Sequence, residues 1–324
     1  MDGSFSEELS KTEVQFKDHP GWTALANFDY REVVQGIYED WITLGCRIIT
    51  ANTYHHCYDV LEPIFGDDNV KKAFRQAVNG GHVARFAKYK ENEVVLLVSI
   101  GSYATKLRDG SEYTGAYAKT CKREDVFDYY RKQLEMADNS DHDGILFETI
   151  PTMKDVDAII QLSKNSGDCV VSLSLEKLNL RDGTPMGEAI ELLLDADNVI
   201  GIGINCTDPR DGESQLQEIV SYGWLETHRF IFIYPNSGES FVNGSYQGER
   251  AELHKLVDKW HRNGAIAIGG CCRVGLNEMK LIKEAVYDIN QKIEPEKKEE
   301  PKKKMVKTKM NPVVESDDDS SESE

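Results

Sequence analysis

Cys271 and Cys272 stand side by side behind Gly269-Gly270, and Cys206 follows an apolar stretch that ends in Asn205. Thiolates suit zinc, which takes four near-tetrahedral ligands and, where it is catalytic, keeps one position open. Neighbouring residues of a strand point to opposite sides, so two adjacent sulfurs converge on one ion only where the chain turns. The glycine pair is expected to loosen the chain there. The pattern alone leaves two readings open: a three-thiolate metal site, or three small apolar residues in the core. Cys46, Cys57, Cys121 and Cys169 lie in or beside expected helices and strands without such company and are expected to pack in the core. Adjacent His55 and His56 diverge and are not expected to share a metal.

Glu148 ends the apolar run Gly144-Ile145-Leu146-Phe147. A carboxylate delivered to a dry rim needs a partner, which is either a substrate ammonium or a neighbouring Arg or Lys. The stretch Asp109-Gly110-Ser111-Glu112-Tyr113-Thr114-Gly115 reads either as a capped turn or as a loop covering a substrate.

These residues share a structural position. Short β-rich runs recur at Arg47–Thr50, Val94–Ile100, Gly144–Phe147, Val170–Ser174, Val199–Ile204, Phe230–Tyr234 and Ala265–Ile268. Amphipathic patterns follow most of them, at Met153–Ser166, Gly187–Asp195, Glu213–Tyr222, Arg250–Asn263 and Gly275–Gln291. Strands alternating with helices at βα spacing predict a parallel sheet, open or closed as a barrel. No Gly-rich dinucleotide fingerprint opens the first unit, which weakens the open alternative. Asn52-Thr53-Tyr54, Glu148-Thr149, Asn205-Cys206, Pro235-Asn236-Ser237 and Gly270-Cys271-Cys272 all end such strands. In a parallel barrel those ends share the rim where active sites form. Closure needs an eighth strand, whose natural place is the extreme N-terminus, so the first strand is expected to be abbreviated or missing.

With 40% hydrophobic residues among 324, the chain can bury a sizeable core. A net charge of -18 argues against general binding to nucleic acid or anionic lipid. No apolar run long enough to span a bilayer and no secretory signal are read, so a reducing cytoplasm is expected, where clustered thiols favour metal or catalysis over disulfides. Residues 1–291 are expected to form one domain. Residues 292–324 are rich in Glu, Lys, Pro and Ser and are expected to stay disordered. Serines among acids at 315–324 read as sites for an acidophilic kinase or a protein partner, or as part of a solubilising tail.

Taken together, the segments Asp2-Gly3-Ser4-Phe5, Asn52-Thr53-Tyr54, Asp109–Gly115, Phe147-Glu148-Thr149, Asn205-Cys206, Tyr234-Pro235-Asn236-Ser237 and Gly269-Gly270-Cys271-Cys272-Arg273 resemble the homocysteine S-methyltransferase family in content and order. The Phe-Glu-Thr and Asp-Gly-Ser-Glu-Tyr-Thr-Gly segments are similar to the branch using S-methylmethionine or S-adenosylmethionine rather than betaine. The resemblance implies a (β/α)8 barrel of the TIM type and a Zn2+ ion on Cys206, Cys271 and Cys272. It also implies methyl transfer from a sulfonium donor to the homocysteine thiol, giving methionine, with no catalytic group beyond the zinc site. Asp2 and Glu148 would meet the substrate's amino group, and Gly3, Asn52, Thr53 and Asn236 would complete the substrate site. Ser4 stands where the family usually has glycine, Ala51 where threonine is common, Ser102 where proline is usual, and Arg273-Val274-Gly275 where Arg-Thr-Thr-Pro is common. The alternative reading is a zinc-binding barrel without turnover that acts as a binding or regulatory protein.

Overall fold

A computed structural model describes residues 1–88, 93–242 and 245–298. Seven parallel strands form one sheet in sequence order. They are β1 (Ile48–Thr50), β2 (Val95–Gly101), β3 (Gly144–Ile150), β4 (Cys169–Leu173), β5 (Val199–Asn205), β6 (Phe230–Tyr234) and β7 (Ala265–Ile268). Helices return the chain between strands, as the long crossovers between parallel neighbours require.

The sheet curls until its edges meet across the first two residues. The Met1 amine donates to Ile268 O at 2.8 Å, and Gly270 N donates to Asp2 O at 3.1 Å. On the other side Asp2 N donates to Ile48 O at 3.0 Å. Met1 and Asp2 thus fill the eighth place between β7 and β1, which is the abbreviated first strand that the barrel reading requires.

Side chains alternate along each strand, so residues two apart share a face. Val98, Ile100, Ile145, Phe147, Val171, Ile202, Ile204, Ile231 and Ile233 belong to the larger cluster, packed with the helices. Leu97, Leu146, Val170 and Phe232 form the second cluster, inside the barrel. One step further along the same inward face stand Ser99, Glu148, Ser172 and Tyr234, joined by Asn205 of β5. The interior therefore changes from apolar to polar toward the C-terminal ends of the strands. The interior is also tightly filled: a Cβ on Gly203 would lie 2.2 Å from the ring of Phe232.

The helical patterns are found at Met153–Leu162, Met186–Leu194 and Gly212–Ser221. Thr152 caps the first of these by accepting from Asp155 N. The expected helix over Arg250–Asn263 is shorter, Val257–Arg262 after a single 3-10 turn at Leu253–Lys255. Its intended first turn is diverted because Ala251 N bonds Ser237 O at 2.7 Å. Three further helices, Arg31–Leu44, Asp67–Lys88 and Arg123–Asp138, cover the first half of the barrel. The last helix, Leu276–Lys298, continues past Gln291. The remaining residues of the charged tail, 299–324, lie outside the described residues. No described helix is long and apolar enough to cross a membrane.

Because Phe232 is buried on all sides, Gly203→Ala is expected to cost about 1–3 kcal/mol through overpacking. Denaturant unfolding of this variant, and of the double variant with Phe232→Leu that reopens the space, measures it. Unchanged stability in Gly203→Ala would show that the interior is looser than described.

Candidate functional site

The C-terminal ends of β5 and β7 bring three thiols together. Cys206 Sγ lies 2.9 Å from Cys271 Sγ and 3.9 Å from Cys272 Sγ, and the last two are 3.9 Å apart. Sulfurs on a tetrahedral zinc with bonds of about 2.3 Å sit roughly 3.8 Å apart. Two of the three separations already match, and the third needs to open by about 1 Å for all three sulfurs to share one ion. The ligand atoms all lie within 4.8 Å of one another, and this is the metal-competent group of cysteines, histidines and acids found among the described residues.

Backbone hydrogen bonds explain how adjacent cysteines converge. Cys271 N donates to Pro235 O at 2.8 Å, Ser237 N donates to Cys272 O at 3.1 Å, and Cys272 N donates to the Asn236 side-chain Oδ1 at 3.1 Å. The turn is completed by Arg273 at φ +64°. The glycine pair has a different task from the expected loosening. A Cβ on Gly269 would lie 2.6 Å from Asp2 O, and one on Gly270 would lie 2.1 Å from Val274 Cγ1. Both glycines permit close packing at the seam.

Cys206 is also held in an unusual backbone conformation, φ +48°, and so is Thr149 at the end of β3, φ +58°. A β-branched residue rarely adopts such an angle without support. Asn205 supplies it: its Oδ1 accepts from Thr149 N at 2.9 Å and from Ser172 Oγ at 2.8 Å, while its Nδ2 donates to Thr149 Oγ1 at 2.8 Å. Thr149 Oγ1 in turn reaches Cys206 Sγ at 3.7 Å. Tyr113, from the loop at 109–115, places its hydroxyl 3.5 Å from Cys272 Sγ.

Three crowded thiols cannot all ionise without a cation. Hydrogen bonds from Cys206 and Cys271 hold Cys272 well below the usual thiol range. Its hydrogen bond to Cys271 pushes Cys206 well up. Cys271 is also raised: its bond with Cys206 favours the thiolate, but its bond to Cys272, burial and the neighbouring charges outweigh it. A cation at the centre would favour the thiolate form of all three.

Inside the barrel lie two acids. Burial pushes Glu148 up to about 7, despite bonds to its carboxylate from Ser99 Oγ and from Tyr234 Oη at 3.1 Å. Burial likewise raises Asp2 to about 6, although Thr50 N and Thr50 Oγ1 donate to its Oδ2 at 2.7 and 2.9 Å. Each carboxylate is close enough to the site for Asp2 to raise Glu148 electrostatically. Among the described residues neither is paired with an Arg or Lys side chain. The salt-bridge alternative for Glu148 therefore does not hold.

Asn52 and Thr53 are buried and bonded into the scaffold. Asn52 Nδ2 donates to Thr23 O and Asn27 Oδ1, both at 2.9 Å, and Thr53 Oγ1 exchanges bonds with the backbone of Ser99. Gly3 is pressed against Val274 O and Trp41, which leave no room for a Cβ. His56 is a core histidine, bonded to Val70 O at 3.0 Å and stacked on Phe28. Burial raises Cys46 to about 11, and Cys57 and Cys169 to about 12, as core thiols. Ser99, Tyr113, Thr149, Asn205 and Tyr234 complete the site. Of these, Ser99 and Tyr234 could have been found from the inward register of their strands.

Residues 1–286 match the family model described as homocysteine S-methyltransferase. Homocysteine S-methyltransferase 2 of Arabidopsis thaliana is 28% identical over 309 residues, covering 87% of this chain and 91% of that protein. Selenocysteine Se-methyltransferase of Brassica oleracea var. italica is 27% identical over 306 residues, covering 87% of each. The metallated form of the homocysteine methyltransferase MmuM from Escherichia coli is similar in structure, with a TM-score of 0.77 and 25% identity over 88% of this chain and 94% of that one. With the barrel, the seam and the thiol cluster all inside the matched residues, the chain belongs to the homocysteine S-methyltransferase family.

Proposed function

We propose that the protein transfers a methyl group from a sulfonium donor, S-methylmethionine or S-adenosylmethionine, to the thiol of homocysteine, with Cys206, Cys271 and Cys272 holding zinc. The observation that carries this reading is the meeting of three thiols with two buried carboxylates that lack a cationic side chain. An all-thiolate donor set favours zinc among the common divalent ions. When bound, zinc supplies a position at which a substrate thiol is held as thiolate near neutral pH.

The chain's own residues do the rest. Asp2 and Glu148 would take the homocysteine ammonium, whose single positive charge favours the ionised form of each acid and lowers their pKa values toward the ordinary range. Ser99 and Tyr234 fix the Glu148 carboxylate, and Thr50 fixes that of Asp2. Asn236 orients Cys272 through the backbone, and Asn52 and Thr53 hold the rim. The thiolate attacks the donor methyl in line, and the donor leaves as a neutral thioether, so no general base is needed in that step. The departures that could point to a barrel without turnover are accommodated. Ser4 caps the helix Phe5–Leu9 by accepting from Glu7 N, and the seam is closed by Met1 and Asp2.

The purified protein is expected to carry about one zinc per chain. Replacing Cys206, Cys271 or Cys272 with Ser should remove both metal and methyl transfer, while Cys121→Ser keeps both. Metal analysis beside a methionine-forming assay decides. Full zinc and full activity in Cys271→Ser would refute the assignment.

Glu148→Gln tests the acid pair. The folded pKa of Glu148 is raised from 4.5 to about 7, so the folded state binds the extra proton in that window. Its contribution to stability therefore falls as pH rises from about 4.5 to about 7 and is constant above. In the substrate-free protein, Glu148→Gln should gain on wild type over this interval by about 1–3 kcal/mol, since one pKa unit is worth about 1.4 kcal/mol. The same variant should weaken homocysteine binding by roughly 30- to 1,000-fold while zinc is retained. Unfolding curves at pH 5 and pH 8, with calorimetric titration of homocysteine, give both quantities. A variant that binds homocysteine as wild type does would remove Glu148 from the substrate site.

A further inference from the structure

A second set of charged and aromatic groups borders the thiols: Tyr113, already placed beside Cys272, with Glu112 and Arg181, to which no role has been given above. The loop at 109–115 carries Glu112 and Tyr113, and it is seated firmly. Ser111 N donates to Asp109 Oδ1 at 3.0 Å, Gly115 N to Ser111 O at 2.8 Å, and Ser174 Oγ to Glu112 O at 3.4 Å. Gly115 sits so close to the chain after β4 that a Cβ there would lie 2.5 Å from Asp182 N and 2.6 Å from the carbonyl carbon of Arg181. The loop is thus packed directly on Arg181, and Tyr113 reaches from it to Cys272.

Arg181 is mostly buried. Its Nη2 donates to Cys206 O at 3.3 Å, yet its Nε is fully buried with no acceptor among the described residues. An unpaired guanidinium N–H is costly, and a ligand carboxylate is the natural acceptor for the fork that Nε and a terminal nitrogen form. Glu112 presents the opposite charge. Its carboxylate is half-buried, meets its own backbone N–H, and has no ion pair among the described residues; burial and then the nearby Cys272 raise it. Tyr113 brings its hydroxyl to the same sulfur, so that an aromatic residue, a type that attracts cations, stands next to the thiols.

We propose that Glu112, Tyr113 and Arg181 form the methyl-donor subsite and select a sulfonium that is also an amino acid. Glu112 and Tyr113 receive its cationic end and Arg181 its carboxylate. This rests on the methyl-transfer reading given above and adds the recognition of the donor to it. In the reaction, an electron pair on the acceptor thiolate forms the new S–CH3 bond while the sulfonium S–CH3 bond breaks, and its pair stays on the donor sulfur. No proton moves. The donor loses its positive charge in the step, so the attraction to Glu112 and Tyr113 falls and the thioether is released. These contacts therefore act on donor binding more than on turnover.

The test compares S-methylmethionine with its decarboxylated analogue as donors for the zinc-loaded wild type, Arg181→Met, Arg181→Lys and Glu112→Gln, with metal content measured on each. Wild type should prefer S-methylmethionine in kcat/KM by on the order of 10- to 100-fold. Arg181→Met should erase most of that preference by raising the KM of S-methylmethionine, with Arg181→Lys in between. Glu112→Gln should raise the KM of both donors by about 10-fold and leave kcat and the homocysteine KM near wild type. Equal losses for both donors in Arg181→Met, or a raised homocysteine KM in Glu112→Gln, would overturn the subsite. Should Arg181→Met fail to fold, a wild type indifferent to the donor carboxylate overturns it equally. Transfer from betaine but from no sulfonium would overturn the subsite and leave homocysteine methylation standing, whereas no transfer from any donor would overturn both.

Discussion

Three sulfur atoms at separations of 2.9, 3.9 and 3.9 Å can all be anionic only around a shared cation. Much of the rim is shaped to keep them together. Of the seven non-glycine residues with positive φ among the described residues, three stand at this rim: Thr149, Cys206 and Arg273. Each such residue costs roughly 1–3 kcal/mol and persists only where its surroundings over-determine it. Asn205 does this for Thr149 with two hydrogen bonds and takes a third from Ser172, tying the end of β3 to β4 and β5. Arg273 is held from both sides, by Glu239 on its guanidinium and by Arg250 on its carbonyl. The β2–β3 and β5–β6 pairings keep an unbroken parallel register, while the β3–β4, β4–β5 and β6–β7 pairings each carry one irregularity.

The charge arrangement follows from the barrel's pleat. An apolar layer, Leu97, Leu146, Val170 and Phe232, excludes water from below. The next inward positions are Ser99, Glu148, Ser172 and Tyr234, and the thiols stand at the open end. A cation entering here finds acids whose ionisation is suppressed by desolvation and which no Arg or Lys side chain among the described residues offsets. Desolvation is what makes such acids selective. They gain most from a ligand that brings its own positive charge, and a neutral ligand leaves their burial uncompensated.

Much of this could be read in the sequence because barrel chemistry falls at strand ends. Cys206, Cys271, Cys272, Glu148 and Asn236 each directly follow or end an apolar run, and each reaches the site or holds a residue that does. What was hidden depends on contacts between distant segments. The clamp by Asn205 on Thr149 spans 56 positions, and the approach of Tyr113 to Cys272 spans 159. No local periodicity encodes either. The rim position of Asn52 and Thr53 is legible in the sequence, but not that the Asn52 Nδ2 is bonded to Thr23 and Asn27 and the Thr53 hydroxyl to Ser99. The helix over 250–263 was overextended for a related reason: its apolar spacing is real, but a backbone bond from Ala251 to Ser237 takes the first turn for the rim.

Asp2 ties the closure of the barrel to its polar rim. Its backbone joins β7 to β1, and its carboxylate, fixed by Thr50, is buried beside Glu148. The residues after it separate the two roles that glycine plays in the family's Asp-Gly-Gly pattern. At position 3 glycine is compulsory, because Val274 O and Trp41 would stand 2.6 and 2.8 Å from a Cβ. At position 4 the backbone is extended, φ -69°, a conformation open to any residue. Serine there costs no backbone strain and caps the helix, a gain over glycine of only a few tenths of a kcal/mol. The capped helix Phe5–Leu9 carries Glu8, whose carboxylate accepts from Leu276 N at 2.8 Å and so fastens the start of the last helix to the seam. Ser4 thus strengthens the joint that positions Asp2, and the departure from the family pattern reinforces the site it adjoins.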